Sequence, residues 1–214
     1  MTEAVFFDLD GTFADTAPDL SYTLNLMLAA RGLPPVPVAA TRPVTSTGAR
    51  GLLRVGFAMA PDHTEYPAMR AEFLALYAEN LCRETTLFPG MTALLDRIEG
   101  RGIKWGIVTN KGERLARQLI DALEFGHRCA CVIGGDTAPR MKPFPDPLLA
   151  ASRCVGVDAG ACVYVGDDQR DVEAGRAAGM RTIAVRYGYL NGGEPDAWGA
   201  DAVVDCPEDV LLHL

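Results

Sequence analysis

Short apolar segments that do not alternate with polar residues constrain the fold of this chain more than any other feature. Ala4-Val5-Phe6-Phe7 is the first, and residues 103–108, 131–133 and 161–165 repeat the pattern, each giving way to polar or glycine residues. A strand with one wet face alternates; a strand covered on both faces does not. Helix-length segments separate the runs, at about residues 92–100, 113–123, 147–155 and 168–178. The last is closed by Gly179, placed where a helix accepts a left-handed residue. This succession predicts an α/β fold, a Rossmann-like doubly wound parallel sheet with crossover helices. Residues 182–185 and 202–204 read as additional edge strands.

Between about residues 16 and 85 the alternation stops, and only helix periodicity is found. Asp15 or Thr16 is placed to cap a helix with Pro18 in its first turn, and Leu20, Leu24, Met27 and Leu28 mark its apolar face. Gly32 ends it, and Leu33-Pro34-Pro35-Val36-Pro37 is a stiff connector. Further helices are expected over residues 48–59 and 66–81. The predicted organisation is a core of residues 1–15 and 86–214, with residues 16–85 as a small all-helical cap inserted after the first strand.

The charge balance narrows the partners. A net charge of -8 over 214 residues argues against nucleic acid, because phosphate backbones reward surplus Lys and Arg. No apolar run approaches the roughly 18 residues of a membrane-spanning helix. The first residues lack the basic start and long apolar stretch of a signal peptide. Six cysteines are scattered, and Cys129-x-Cys131 fits neither a thioredoxin-like nor a zinc spacing. Buried free thiols, a cytoplasmic location and no membrane partner are therefore expected. The chain carries only three lysines, Lys104, Lys111 and Lys142.

In a doubly wound sheet, ligands bind beyond the carboxyl ends of the strands. The first run is followed by Asp8-Leu9-Asp10-Gly11-Thr12, the second by Thr109-Asn110-Lys111, and the fourth by Gly166-Asp167-Asp168 with Asp171 further on; Lys142-Pro143 lies beyond the third. Carboxylates, hydroxyls and a lysine at four strand ends form a constellation. In this order and register, these motifs resemble the haloacid dehalogenase superfamily, specifically its phosphatase branch with a helical cap.

The resemblance implies a magnesium-dependent phosphatase, and the chemistry of the residues is consistent with it. Asp8 would be the nucleophile, forming an aspartyl-phosphate that divides one difficult displacement into two easier ones. Asp10 would protonate the leaving oxygen and later deprotonate the attacking water. Dehalogenases of the superfamily lack this second aspartate, so its presence favours phosphoryl transfer. Asp8, Asp167 and the Asp10 carbonyl would hold Mg²⁺, which prefers oxygen ligands and keeps several waters. Asp171 would support the metal site. Thr109 and Lys142 would stabilise phosphate charge, while Gly11, Thr12 and Asn110 would contribute to phosphate binding. Lys111 is open between a substrate contact and a surface lysine. Two substitutions depart from the family pattern without removing a required group: Phe13 in place of Leu, and Asp168 in place of Ser.

The cap should exclude water and supply specificity. In Thr45-Ser46-Thr47-Gly48-Ala49-Arg50, Ser46, Thr47 and Gly48 lead into a helix N-terminus, and Arg50 is suited to grip a carboxylate or sugar oxygen. An ordinary N-cap is the alternative for Ser46 or Thr47. No lysine occurs between Phe13 and Thr85, which disfavours the phosphonate-cleaving relatives that use a cap lysine. Within the phosphatases the chain resembles phosphoglycolate phosphatases and, more closely, N-acetylmuramate 6-phosphate phosphatases. The closer likeness rests on Thr47-Gly48-Ala49-Arg50, Phe57-Ala58-Met59, Trp105 to Lys111, Arg186-Tyr187-Gly188-Tyr189 and Trp198-Gly199-Ala200-Asp201. The expected partner is a small phosphate ester, acted on by a monomer or homodimer. A phosphosugar mutase using the same two aspartates and a non-catalytic regulatory module are the competing readings.

Overall fold

The apolar runs become the strands of one parallel sheet. A computed structural model describes residues 1–214. In chain order the first half contains β1 (Ala4–Phe7), β2 (Ala14–Asp15), α1 (Ala17–Ala29), α2 (Val38–Thr41), α3 (Ala49–Phe57), α4 (Tyr66–Glu79) and β3 (Thr86–Leu87). The second half contains α5 (Met91–Gly100), β4 (Lys104–Val108), α6 (Glu113–Ala122), β5 (Val132–Ile133), α7 (Asp146–Val155), β6 (Cys162–Gly166), α8 (Gln169–Ala177), β7 (Arg181–Val185) and β8 (Ala202–Val204). The six-stranded sheet has the order β5-β4-β1-β6-β7-β8, and all its pairings are parallel.

Burial on both faces explains the unbroken apolar runs. Val5, Phe7, Trp105, Ile107, Val163 and Val165 face one core with α5 and α6, while Ala4, Phe6, Val108, Cys162 and Tyr164 face the other with α7 and α8. Phe13 packs into the first of these cores, stacked on Trp105 at 5.6 Å and edge-on to Phe125 at 6.0 Å. Two expectations need correction. β7 is an interior strand, hydrogen-bonded to β6 and β8, so the sheet edges are β5 and β8. The six cysteines are all free, but Cys154 is exposed and only Cys131 and Cys162 are buried.

Helices α1, α3 and α4 enclose a separate apolar cluster, including Leu24, Met27, Leu52 and Phe73, to which α6 contributes Leu115. These helices lie between β2 and β3, which pair antiparallel as Ala14↔Leu87 and Asp15↔Thr86. Buried Asp19, in the first turn of α1, reinforces that crossing. Its carboxylate accepts the amides of Arg83 (2.9 Å), Glu84 (2.8 Å) and Thr85 (3.2 Å) and the Thr85 hydroxyl (2.7 Å). The start of α1 is capped by neither Asp15 nor Thr16. The Tyr189 hydroxyl accepts the Thr16 and Ala17 amides at 2.7 and 2.9 Å and donates to Asp15.

Candidate active site

The chain leaves β1 for β4 on one side and returns to β6 on the other. This is the switch point of a doubly wound sheet, where the carboxyl ends of the strands open a crevice. Asp8, Thr109 and Asp167 follow directly on β1, β4 and β6. Backbone bonds fix the first two: the Asp8 amide donates to Val165 and the Thr109 amide to Ile133, each at 2.9 Å.

Lys142 reaches this crevice from the loop between β5 and α7 and is buried. Its ammonium lies 3.0 Å from Asp8, 2.6 Å from Asp171 and 2.7 Å from the Tyr164 hydroxyl. Burial opposes its charge, but Asp171 and Asp8 outweigh that and raise its pKa. Asn110 was expected to bind phosphate, yet both ends of its amide engage the Lys142 backbone. The side-chain oxygen accepts the Lys142 amide at 2.9 Å and the amide group donates to the Lys142 carbonyl at 3.0 Å. The structure therefore gives this side chain the task of holding Lys142 in place.

Carboxylate oxygens of Asp8, Asp167 and Asp171 lie within 4.8 Å of one another. Burial pushes Asp8 up to about 6 despite Lys142. It raises Asp167 well above the usual carboxylate range, helped by the neighbouring charges of Asp8 and Asp171. Three carboxylates thus share one ammonium, and the all-oxygen donor set suits a hard divalent cation that neutralises the surplus. Asp171 is already well occupied: it accepts from Lys142, Tyr164 and the Asp168 amide, the last within a capping box that starts α8. Asp167 accepts from the Thr12 hydroxyl at 3.0 Å and the Tyr189 amide at 2.8 Å.

Gly11 and Thr12 do not face the crevice as expected. The Gly11 amide donates to Ala14 at 3.0 Å within the turn, and Thr12 is fully buried against Asp167. Glycine is required here by close approach: at φ +92° a Cβ would lie 2.2 Å from an Asp167 oxygen.

Asp10 turns its side chain away from the acidic cluster. Both of its oxygens meet the Lys111 ammonium, at 2.7 and 2.9 Å, and the Thr16 hydroxyl donates to one of them at 2.6 Å. Lys111 is therefore no surface lysine. Its ammonium also lies 4.8 Å from the ring centre of Tyr77 in α4.

Above these groups is a cavity of about 490 Å³, within the range of small-molecule sites. Asp8, Asp10, Thr109 and Lys142 line it from the sheet, and Ser46, Thr47, Gly48 and Arg50 line it from the helical side. No side chain caps α3, whose N-cap is Gly48. Thr47 donates to the Val44 carbonyl, and Ser46 reaches Asp167 at 3.3 Å.

Comparison with known proteins places this geometry. A family profile described as haloacid dehalogenase-like hydrolase matches residues 5–185. The chain belongs to this family. A phosphoglycolate phosphatase of Xanthomonas campestris pv. campestris is 48% identical, over 95% of this chain and 92% of the relative. The N-acetylmuramic acid 6-phosphate phosphatase of Pseudomonas putida is 45% identical over the same shares, 95% and 92%. A phosphoglycolate phosphatase of the same Pseudomonas strain is 36% identical, over 94% and 75%. Among solved structures, a predicted phosphoglycolate phosphatase from Haemophilus somnus superposes with a TM-score of 0.85 at 26% identity, covering 99% of this chain and 97% of that one.

Two arginines of this haloacid dehalogenase-like hydrolase escaped the sequence reading. Arg70 in α4 lines the cavity. Arg170 grips Asp168 through two bonds of 2.8 Å and donates to the Ser46 carbonyl at 3.1 Å, joining the sheet side to the helical side. Arg70 follows no strand, whereas Arg170 lies beyond β6, between Asp168 and Asp171, in the first turn of α8. An arginine on a helix reads by default as part of a solvated face.

Proposed function

We propose that this hydrolase releases phosphate from a small ester that also carries a carboxylate, with N-acetylmuramate 6-phosphate as the substrate and Mg²⁺ as the cofactor. The observation that carries the reading is the cavity itself, with Asp8, Asp10 and Lys142 at one end and unpaired Arg50 on the opposite wall. In the first step an Asp8 oxygen attacks phosphorus. The phosphorus–oxygen ester bond breaks, and Asp10 gives its proton to the departing alkoxide. Water then attacks the aspartyl-phosphate, Asp10 takes the water proton, and inorganic phosphate leaves with Asp8 restored.

Asp10 is held by Lys111 and Thr16, so it has to exchange one of these contacts for the substrate oxygen. Lys142 stays between nucleophile and phosphate and offsets charge on both. Mg²⁺, held by Asp8, Asp167 and the Asp10 carbonyl with Asp171 in support, would supply charge neutralisation at the phosphate. Residues 16–85 act as the lid over this chemistry. We place the enzyme in the cytoplasm, as a monomer or homodimer.

Within one Pseudomonas strain, the muramate phosphatase is more similar to this chain than the phosphoglycolate phosphatase, which supports the amino-sugar acid. The Xanthomonas relative favours 2-phosphoglycolate as the second reading. Phosphate release with Mg²⁺ from N-acetylmuramate 6-phosphate, N-acetylglucosamine 6-phosphate and 2-phosphoglycolate tests both. Preference for the muramate ester over the glucosamine ester is expected. Preference for phosphoglycolate would select the second reading, and a requirement for a bisphosphate activator with little free phosphate would select the mutase.

A further inference from the structure

Helix α4 lines the cavity with one face. Tyr66, Arg70, Phe73, Leu74 and Tyr77 all border it, and steps of three and four residues stack them on a single stripe. The inner end of the stripe is fixed by contacts: Tyr77 lies against Lys111, and Lys111 holds Asp10. The Tyr77 hydroxyl is also the one buried side-chain polar atom of the chain without a hydrogen-bond partner. Arg70 stands seven residues earlier, about 10 Å along the helix axis. Helical side chains lean toward the N-terminus, which carries its guanidinium further from Asp10.

Charge pairing singles out the same residue. Lys111 is paired with Asp10, Lys142 with Asp8 and Asp171, and Arg170 with Asp168. Arg50 and Arg70 are exposed, border the cavity and make no ion pair. They are the uncommitted positive charge of the site, and both belong to its helical wall.

We infer that Arg70 is a specificity-determining residue, which together with Arg50 receives a carboxylate at the far end of the leaving group and so sets a minimum substrate length. The inference rests on the phosphatase reading above and narrows its substrate class. In phosphoglycolate the carboxylate carbon is three bonds from phosphorus, a span of about 4 Å at roughly 1.2 Å per bond along an extended chain. With its phosphate at Asp8, that molecule has much the shorter reach toward Arg70. In N-acetylmuramate 6-phosphate the carboxylate carbon is eight bonds away, a span of up to about 10 Å. Leu74, partly exposed and backed by buried Phe73, stands between the Arg70 and Tyr77 ends of the stripe and suits the carbon-rich face of a sugar ring. Guanidinium forks match a carboxylate bidentately, so a charged far end is recognised in preference to a hydroxyl.

The test is steady-state kinetics of the full chain with Mg²⁺, comparing wild type with Arg70→Ala and Arg70→Lys. The substrates are N-acetylmuramate 6-phosphate, N-acetylglucosamine 6-phosphate and 2-phosphoglycolate. Arg70→Ala should lower kcat/KM for the muramate ester about tenfold or more, mainly through KM. It should leave the glucosamine ester and phosphoglycolate within about twofold, and Arg70→Lys should recover part of the loss. An equal loss on both sugar esters, or none on the muramate ester, would overturn the carboxylate role. A wild type that prefers phosphoglycolate, and loses it with Arg70→Ala, would overturn the length requirement. No phosphate release by wild type from any of the three would remove the phosphatase reading and this inference with it.

Discussion

Lys142 shows how a buried charge is kept at this site. An ammonium withdrawn from water is tolerated when its donors are met by anions and oxygens, and here Asp8, Asp171 and Tyr164 meet them. Its position depends in turn on the paired backbone bonds from Asn110. Asn110→Ala should therefore lower kcat by about tenfold or more and cost about 1–3 kcal/mol of stability. Kinetics and denaturant unfolding on the same variant separate the two effects. The acidic cluster yields a second expectation. In the metal-free protein burial pushes Asp8 up to about 6. Between the ordinary carboxyl value near 4 and 6, the folded chain holds a proton that the unfolded chain has released, so stability from this group falls as pH rises through that window. A cation at the cluster removes the penalty. Mg²⁺ should raise Tm more at pH 7 than at pH 4.5, relative to chelator at each pH; equal shifts would count against the cluster as the metal site.

Elements differ in how plainly the sequence announces them. β1, β4, β6 and β7 are written as apolar runs because both of their faces are covered. β2 and β3 have two residues each and contain no such run, so their pairing is invisible until the chain folds. The helix caps show the same division. Gly179, at φ +75°, follows α8 as its sequence position indicates, whereas α1 takes its cap from Tyr189, more than 170 residues away. Local chemistry is legible and tertiary substitution for it is not. The contacts that occupy Gly11, Thr12 and Asn110 are hidden for this reason, since each residue follows a strand as anticipated but is engaged by a distant partner or by its own turn. Asp19 belongs to the same hidden class. Replacing it with Ala leaves the amides of residues 83–85 without their acceptor, Thr85 being the buried one among them, and a loss of about 2 kcal/mol or more is expected. Thermal unfolding of Asp19→Ala measures it, and a loss below about 1 kcal/mol would show that water replaces the carboxylate there.

At the scale of the whole molecule, the helical wall and the sheet wall meet at the chemistry itself. Ser46 touches Asp167 and receives Arg170, which is anchored on Asp168. Anything that rearranges the Asp167 carboxylate is therefore felt by the segment Arg42–Thr47. Mg²⁺ together with inorganic phosphate should slow amide hydrogen exchange in residues 42–50 relative to chelator, and unchanged exchange would show that the two walls are uncoupled. The strand pair β2–β3 has a different consequence. Because the chain departs and returns at neighbouring residues, the helical segment is joined to the rest like a scion on a rootstock: one short junction carries it. Mutation can remodel Arg50, Arg70 and the lining of α4 while Asp8, Asp10, Lys142 and Asp167 stay under separate selection. A lineage built this way can change its diet without relearning its chemistry.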